Sequence, residues 1–267
     1  METVVGQYLN QLRLNKEPPT INYLQRLIQH HLSIVPYETF SKFHYYRHGP
    51  QLVPSLPMFV ENLEEKGWGG TCFTLNINFS RLLTELGFHC SLVRVYPSHL
   101  AIMVKIAGKR LYVDVGYGSP IMKPVELEAK PRHVLHGFGE EIIFTKISSG
   151  KYEIDRRSNG KSFVKKQIDW EPLAEREVGP DIDESYDDRD ENVTMRRITA
   201  VRFNGHQCFF LRNETMKVMT FRNISEIRFH DPDKWMDLIQ EVYQIERSSA
   251  AASLSFLEER GVRLFSK

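Results

Sequence analysis

The stretch KGWGGTCFTLNINFSRLLTEL, residues 66–86, joins a glycine pair to a cysteine and then to a helical pattern. Gly69 and Gly70 permit a sharp turn, and Thr71 is a suitable N-cap for a helix that begins at Cys72. Apolar residues then recur at helical spacing: Leu75, Phe79, Leu82, Leu83 and Leu86. The stretch therefore predicts an amphipathic helix with a cysteine at its N-terminus.

Cys72 has two interpretations at this position. The N–H groups and the dipole of a helix N-terminus favour a negative charge, which would lower the pKa of the thiol and give a thiolate nucleophile. The alternative is a small core residue that packs on the apolar side of the helix. Both interpretations are open from this stretch alone, so the remainder of the chain has to decide between them.

The composition is that of a globular chain with no strongly charged partner. The chain has 267 residues, of which 41% are hydrophobic, and a net charge of +1, whereas nucleic-acid and membrane-surface proteins are usually more basic. No apolar run approaches the roughly 18 residues of a membrane span, and the N-terminus lacks the pattern of a signal peptide. Besides Cys72 there are Cys90 and Cys208, which we interpret as packing residues, and the three have no metal-ligand spacing. We therefore expect a cytoplasmic protein without a metal, a nucleic-acid partner or a membrane.

The pattern of apolar residues changes along the chain and predicts an α+β fold. Residues 1–87 are predicted to be helical, and they include INYLQRLIQHHLSI after Thr20, a candidate N-cap. Evenly spaced short strands follow in residues 88–192 and predict a small barrel or a curled sheet. Residues 193–267 contain two or three strands and then helices. Glu38, between the early helices, is expected to be exposed.

A predicted hairpin places a histidine beside an aspartate. If residues 107–108 form a two-residue loop, Ile106 pairs with Lys109. His99 then becomes the diagonal neighbour of Asp114, since 114 − 99 = 15. Diagonal neighbours on one sheet face lie about 7–8 Å apart between backbones, which is within side-chain reach. A slip of one residue would put the two side chains on opposite faces, so the prediction depends on this loop.

Cys72, His99 and Asp114 together predict a thiol enzyme. A thiolate needs a base that accepts a proton, and the base needs a third group that fixes its tautomer. A cysteine at a helix N-terminus, followed by a histidine and an aspartate on strands, is the layout of papain-like thiol enzymes. This layout indicates acyl transfer or acyl hydrolysis, because a thioester is the natural intermediate of a Cys–His pair.

Most of the first 125 residues resemble the arylamine N-acetyltransferase family. The segments that carry the resemblance are YLNQL, PTINYLQRLIQHHLSIVPYETF, the glycine–cysteine stretch, SHLAIMV and YVDVGYGSP. The family pattern R-G-G-x-C-x-E-x-N is matched at Gly69, Gly70, Cys72 and Asn76. The family segment P-F-E-N-L corresponds to residues 36–40 of this chain.

The resemblance implies a fold in three parts with a papain-like cysteine-enzyme core. Residues 1–87 would form an N-terminal helical bundle that carries the nucleophile. Residues 88–192 would form a central β-barrel with the histidine and the aspartate, and residues 193–267 would form a C-terminal α/β lid. The elements predicted from the residue pattern agree with this division.

The resemblance also implies a two-step acetyl transfer. The family's catalytic cysteine, histidine and aspartate correspond to Cys72, His99 and Asp114. The thiolate would take an acetyl group from acetyl-CoA, which is a donor substrate and not a bound cofactor, and pass it to an arylamine or arylhydrazine. The histidine would move the protons, and the aspartate would hold its ring. The partners implied are thus small molecules.

Four further residues are candidates for contacts with these substrates. Gly116 and Gly118 would let the donor approach the backbone beside Asp114, although a tight turn after a strand explains them equally well. Phe40 and Tyr117 are candidates for an aromatic wall around the acceptor, although either could be part of the core.

Two charged positions of the family pattern differ in this chain. The arginine before the glycines is Trp68, and the glutamate two residues after the cysteine is Thr74. The resemblance implies that the arginine is a structural ion-pair partner and that Glu38 is its mate, so Glu38 must find another donor or stay solvated. Because neither position is the nucleophile, the base or the orienting residue, we expect local repacking rather than loss of catalysis.

Two other functions stay open at the level of sequence. A thiol hydrolase or an amide-forming enzyme could use the same three residues on another thioester or peptide. Such an enzyme would not pass an acetyl group from acetyl-CoA to an arylamine faster than to water. A non-catalytic binding protein could also have kept the fold, and the presence of all three residues argues against it.

Overall fold

The computed structural model describes residues 3–49 and 51–265, and the first third of the chain is mainly helical. Its helices are α1 (Val4–Gln11), α2 (Ile21–Ile34), α3 (Phe40–His48), α4 (Leu56–Lys66) and α5 (Cys72–Glu85). The N-cap of α2 is Thr20, as predicted, because its Oγ1 accepts a hydrogen bond from the Tyr23 N–H at 3.1 Å. A two-residue strand, β1 (Tyr37–Glu38), lies between α2 and α3.

Seven strands of the middle part form one antiparallel sheet. They are β2 (His89–Tyr96), β3 (His99–Ile106), β4 (Lys109–Val113), β5 (Arg132–Gly137), β6 (Glu140–Ser148), β7 (Lys151–Ser158) and β8 (Lys161–Asp169). Their order across the sheet is β4-β3-β2-β8-β7-β6-β5. The β3–β4 hairpin has the predicted two-residue loop, since Ile106 pairs with Lys109.

This sheet is curled but open, so the curled sheet that the strand pattern allowed is confirmed and a closed β-barrel is not formed. Within the described residues, the edge strands β4 and β5 are not hydrogen-bonded to each other. Tyr112 of β4 nevertheless lies close to Phe144 of β6, with 5.3 Å between the ring centroids. Because these two strands are not neighbours in the sheet, the contact shows that the sheet bends around its own core. Trp170, which is fully buried, belongs to the same core.

The last part of the chain forms a second sheet and two helices. A short helix, α6 (Gly179–Ser185), leads to β9 (Thr199–Asn204), β10 (Gln207–Arg212), β11 (Thr215–Met219), β12 (Ile224–Arg228), α7 (Pro232–Tyr243) and α8 (Arg247–Glu258). The order of the sheet is β1-β9-β10-β11-β12, and Tyr37 of β1 pairs with Val201 of β9. The segment after α2 is thus hydrogen-bonded to the C-terminal sheet, which the sequence pattern did not indicate.

Packing of α5 against β3 positions the residues of interest. Leu75 and Phe79 of α5 are fully buried in one core with Leu100, Ile102 and Val104, the apolar row of β3 that the alternation predicts. The alternate residues of β3 face the core of the curled sheet. Both faces of β3 are therefore covered, and its orientation relative to α5 is fixed. None of the described helices is both long and apolar enough to cross a bilayer.

Candidate active site

Cys72 is the first residue of α5 and is partly exposed. The turn before it requires a glycine, because Gly70 has φ = 130° and a Cβ there would lie 2.7 Å from Thr74 Cβ. Thr71 is the N-cap residue, but its side chain makes no capping hydrogen bond, which differs from the expectation. The N–H groups of the first turn of α5 therefore do not donate to the Thr71 side chain. Their partial positive charge favours a negative charge near the sulfur.

The hairpin brings His99 and Asp114 together, as its register predicts. Val113 pairs with Ile102, so the next residue, Asp114, lies opposite position 101 of β3. Position 101 is two residues from His99, so the two side chains are diagonal neighbours. His99 Nε2 lies 2.7 Å from Asp114 Oδ2. The two residues are only 6% and 1% exposed, so water does not compete for this hydrogen bond.

The carboxylate of Asp114 accepts hydrogen bonds at both oxygens. At Oδ2 the second donor, besides His99, is the Tyr112 hydroxyl at 2.7 Å. At Oδ1 the donors are Asn76 Nδ2 at 2.9 Å and the Gly116 N–H at 3.0 Å. Sequence reasoning missed Tyr112, although its position two residues before Asp114 on one face of the strand is a usable signal.

Asn76 connects α5 to the strands that carry the histidine and the aspartate. It follows Cys72 by one helical turn, and its Nδ2 also donates to the Leu100 carbonyl at 2.7 Å. Its Oδ1 accepts from the Val115 N–H at 3.0 Å. Asn76 matched the family pattern in the sequence, but its structural role could not be deduced there. In the structure it aligns the helix of Cys72 with the strand of His99.

The electrostatics of the site favour an ionised thiol. Burial opposes ionisation of Cys72, but its hydrogen bond with His99, the charge of His99 and two nearby lysines outweigh burial and lower the pKa of the thiol. Burial likewise opposes the charged form of His99, and Asp114 with Cys72 overcomes this effect and raises the pKa of His99 to about 9. The pKa of Asp114 is lowered in spite of burial, chiefly by the charge of His99. Both shifts favour a thiolate–imidazolium pair over the neutral pair.

Two lysines that the sequence did not single out contribute to this field. Lys42 of α3 and Lys166 of β8 line the same cleft as Cys72, and the charge of each favours the thiolate. Lys42 is 2% exposed, whereas Lys166 is partly exposed and donates a hydrogen bond to the Pro97 carbonyl. No local pattern marks these lysines, because tertiary packing alone brings them to the cleft.

A cleft of about 560 Å³ opens beside Cys72 and His99, and it contains some of the predicted contact residues. Gly116 and Tyr117 line it, and the Tyr117 ring lies 4.8 Å from the His99 ring between centroids. Gly118 and Phe40 do not belong to its lining. The Phe40 ring is instead buried in the core of the C-terminal sheet, as the alternative interpretation allowed.

Packing within the protein, rather than close approach of a ligand, explains why residue 116 is a glycine. A Cβ at this position would lie 2.7 Å from Cys72 Cα and 2.7 Å from Asn76 Nδ2. The missing side chain therefore lets the backbone after Asp114 pack against the start of α5. This contact holds the N-terminus of α5 against the end of β4.

The three predicted residues can perform nucleophilic acyl transfer. The thiolate lies at the edge of an open cleft, and the imidazolium beside it can protonate a leaving group. Burial raises the pKa of Cys90 to about 12 and raises the pKa of Cys208 further still, so neither thiol is activated. Both fit the predicted role of packing residues.

The comparison with known proteins gives the family. A family model described as N-acetyltransferase matches residues 20–251. The chain belongs to the arylamine N-acetyltransferase family. Its fold matches the arylamine N-acetyltransferase of Salmonella typhimurium with a TM-score of 0.81, over 96% of this chain and 99% of that one, at 17% identity.

Curated relatives match over a shorter region. An uncharacterised acetyltransferase of Acanthamoeba polyphaga mimivirus is 30% identical over 118 residues, which is 40% of this chain and 56% of the viral protein. Arylamine N-acetyltransferase 2 of Mus musculus is 28% identical over 118 residues, or 39% of each chain. The matched regions thus span about half and about two-fifths of these relatives.

The residues at and beside the departures from the arylamine N-acetyltransferase pattern have contacts of their own in this structure. Glu38 is fully buried, so the expectation that it is exposed was wrong. Its carboxylate accepts hydrogen bonds from the Ser41 N–H at 2.9 Å and the Ser41 hydroxyl at 2.5 Å, so it has found the other donor that the absence of an arginine at position 68 requires. Trp68 donates from Nε1 to Ser249 Oγ of α8 at 2.9 Å. Thr74 is buried against Gly70.

Proposed function

We propose that this enzyme transfers an acetyl group from acetyl-CoA to an arylamine or arylhydrazine through an acetyl-Cys72 intermediate. The observation that carries the proposal is that Cys72 and His99 line one cleft, with His99 Nε2 2.7 Å from the buried carboxylate of Asp114. Family membership supports acetyl transfer in general, and the geometry supports these three residues as its catalytic machinery.

In the first step the thiolate of Cys72 attacks the thioester carbonyl of acetyl-CoA. The backbone N–H of Cys72, at the start of α5, is placed to donate to the developing oxyanion. The carbonyl re-forms as the bond to the CoA sulfur breaks, and the imidazolium of His99 can supply the proton that CoA takes up. The products are acetyl-Cys72, neutral His99 and free CoA.

In the second step the amine nitrogen attacks the carbonyl of acetyl-Cys72. His99 is now neutral and accepts the proton that the amine loses. Cys72 leaves as a thiolate, so the thiolate–imidazolium pair is restored. Asp114 stays ionised throughout and holds the Nε2–H tautomer of His99, which directs Nδ1 toward the sulfur and the reacting amine.

The cleft draws its lining from all three parts of the chain. Lys42 and Phe73 come from residues 1–87, and Val164 comes from residues 88–192. Thr194 and Arg197 come from residues 193–267. In the proposed enzyme, the first range supplies the nucleophile, the second supplies the base, and the third closes one side of the cleft as a lid. Tyr117 would contact the acceptor beside His99.

Intact mass spectrometry tests the first step. After brief mixing with acetyl-CoA, we expect the wild type to gain the mass of one acetyl group and the Cys72→Ser variant to gain none. A Cys90→Ser variant is the matched control, and it should acquire the group as the wild type does because its thiol is not activated. An unmodified wild type, or an acetylated Cys72→Ser variant, would contradict the proposal.

A further inference from the structure

Lys42 is held in an unusual environment for a lysine. It lies in the first turn of α3, and its side chain is buried at the cleft that contains Cys72. Its Nζ donates to the Ser185 carbonyl at 2.7 Å and lies 4.1 Å from the centroid of the Tyr186 ring. These contacts fix the ammonium group in position, and they add no negative charge.

The ammonium of Lys42 has no carboxylate partner in the described part of the chain. Burying a charge without a counter-charge is strongly unfavourable, so lysines at such positions either lose their proton or pair. Burial does lower the pKa of Lys42, to about 8, and the charge that opposes this effect is the thiolate of Cys72. Below about pH 8, a positive charge therefore faces the sulfur.

Among Cys72, His99, Asp114 and Lys42 the charges cancel, and the partly exposed Lys166 lies outside this count. In the free enzyme the thiolate of Cys72 and the carboxylate of Asp114 are negative, while the imidazolium of His99 and the ammonium of Lys42 are positive. After acylation Cys72 and His99 are both neutral, and Asp114 and Lys42 still cancel. Without Lys42 the buried group would carry a net negative charge in both states, which disfavours ionisation of the thiol.

We propose that Lys42 is a positioning residue for the reaction, whose ammonium acts with His99 as a second counter-charge to the Cys72 thiolate. This inference rests on the proposed function for its purpose, since a counter-charge favours the thiolate form of the nucleophile. Lys42 touches no reacting atom of the substrate in this role. It acts through the electrostatic potential at the sulfur.

Other titratable groups face Cys72, and their chemistry separates them from Lys42. His99 of the hairpin, Lys166 of β8, Tyr37 of β1 and Tyr186 after α6 interact electrostatically with Cys72, and Asp114 acts on it through His99. The same cleft is also lined by charged residues of β7, of α6 and of the segment before β9: Arg156, Glu184, Arg189, Glu191 and Arg197. Burial raises the pKa of both tyrosines, so they stay neutral and supply no counter-charge. Lys166 is partly exposed, so water screens its charge more strongly than that of Lys42.

The pH dependence of Cys72 alkylation by iodoacetamide tests the proposal without any acyl donor. Only the thiolate reacts, so the midpoint of the rate profile reports the ionisation of Cys72. Replacing Lys42 by the similarly sized, neutral Met should raise this midpoint by about half a unit to one unit and slow alkylation several-fold near pH 6. Well above pH 8 the wild type and the variant should converge, because Lys42 itself has then lost its proton.

Lys166→Met is the matched control for the loss of a lysine in the same cleft. We expect it to move the midpoint less than Lys42→Met does. Peptide mapping would confirm that the label is on Cys72. An unchanged midpoint in Lys42→Met, or a larger shift in Lys166→Met, would overturn the proposal.

Stability measurements distinguish an electrostatic interaction between Lys42 and Cys72 from a purely structural role for Lys42. In a Cys72→Ser background the ammonium of Lys42 has lost its counter-charge, so Lys42→Met should shift the urea midpoint upward more than it does with Cys72 present. Equal shifts in the two backgrounds, or loss of folding in both, would overturn the proposal. Because no measurement here uses acetyl-CoA, a missing acetyl adduct would refute the proposed function and leave the role of Lys42 to be judged separately.

Discussion

At the scale of single residues, the site depends on the hydrogen bonds that the protein donates to the buried carboxylate of Asp114. Asp114 is 1% exposed, and burial alone would raise its pKa. His99, Asn76, Tyr112 and the Gly116 N–H all donate to it, so its charged form is stabilised instead. The carboxylate is therefore a fixed acceptor that sets the tautomer of His99.

The Asp114→Asn variant tests this residue. An amide can present an N–H to His99 Nε2, so the ring would keep its proton on Nδ1 and could not act as a base there. We expect acetyl transfer to fall by about 10³–10⁴-fold, with the fold retained. Steady-state rates measured beside circular dichroism spectra check both parts. Near-normal turnover would remove Asp114 from the mechanism.

The pair of His99 and Asp114 also has a pH signature in stability. The raised pKa of His99 means that its contribution is fully present below about pH 6.5 and is lost as the pH rises through about 9. The lowered pKa of Asp114 means that its contribution is present above about pH 3.9 and is lost in acid. The pair therefore stabilises the fold across the neutral range in which the enzyme would work.

At the scale of elements, local pattern predicted helices and hairpins well and tertiary neighbours poorly. The bounds of α2 and the loop of the β3–β4 hairpin were predicted, because capping, periodicity and turn chemistry act within a few residues. The hairpin register was enough to predict the contact of His99 with Asp114. By contrast, β1 is two residues long and exists because β9 pairs with it, so no pattern in its own sequence marks it.

The burial of Glu38 was also missed because it depends on tertiary neighbours that local sequence pattern does not predict. Its segment pairs with β9, which is distant in sequence, and its donors are provided by the first turn of α3. Burial raises the pKa of Glu38 to about 7, and the Ser41 hydrogen bonds only partly oppose the rise. The folded protein thus binds a proton at Glu38 that the unfolded chain has already lost near pH 6.

The Glu38→Gln variant should therefore change the pH dependence of stability. Because the folded pKa is raised, ionisation of Glu38 makes the wild type less stable as the pH rises from about 4.5 to about 7, by about 2–3 kcal/mol. A neutral glutamine removes this term, so the difference in unfolding free energy between variant and wild type should grow in favour of the variant across that window. Urea unfolding at both ends of the window checks it. Parallel profiles would show that Glu38 does not titrate there.

At the scale of the whole molecule, the acidic segment before β9 is held by one arginine close to it in sequence and by one from the C-terminal end of the chain. The sequence predicted a solvated loop or a crossing between domains, and most of its residues are indeed exposed or partly exposed. Asp188, however, accepts from Arg260 Nη2 at 2.7 Å and also pairs with Arg196. Since neighbouring residues of this segment line the cleft beside Cys72, the two arginines help to shape the cleft wall.

The Asp188→Asn variant measures the strength of this link. Hydrogen bonds from Arg260, with those from Arg196, outweigh partial burial and lower the pKa of Asp188 to about 2. Its contribution is therefore present above about pH 3.9 and is lost in stronger acid, and at pH 7 we expect the variant to lose about 1–2 kcal/mol after allowing for solvent screening. Asp190→Asn is the control, since that carboxylate also pairs with Arg196 but is 93% exposed. Equal losses in both variants would contradict the assigned role.

The tertiary arrangement of the chain was harder to predict from the sequence than its residues and elements were. Strand order in both sheets, the open edge of the curled sheet and the position of Lys42 at the cleft all depend on contacts between residues far apart in the chain. The catalytic candidates were an exception, because one lies at a helix N-terminus and two share a hairpin. Local rules therefore sufficed to place Cys72 at a helix N-terminus and His99 beside Asp114, and the surroundings of these residues required the structure.

The central claim is that Cys72 carries an acetyl group which an aromatic amine removes. The most direct measurement is rapid-quench mass spectrometry of isolated acetyl-enzyme after addition of an arylamine, with the N-acetylated product quantified in the same samples. We predict that the adduct on Cys72 disappears much faster than in buffer alone and that one equivalent of product forms for each acetyl group lost. Decay at the same rate with and without the amine, or decay without acetylated amine, would contradict the account and indicate a thiol hydrolase.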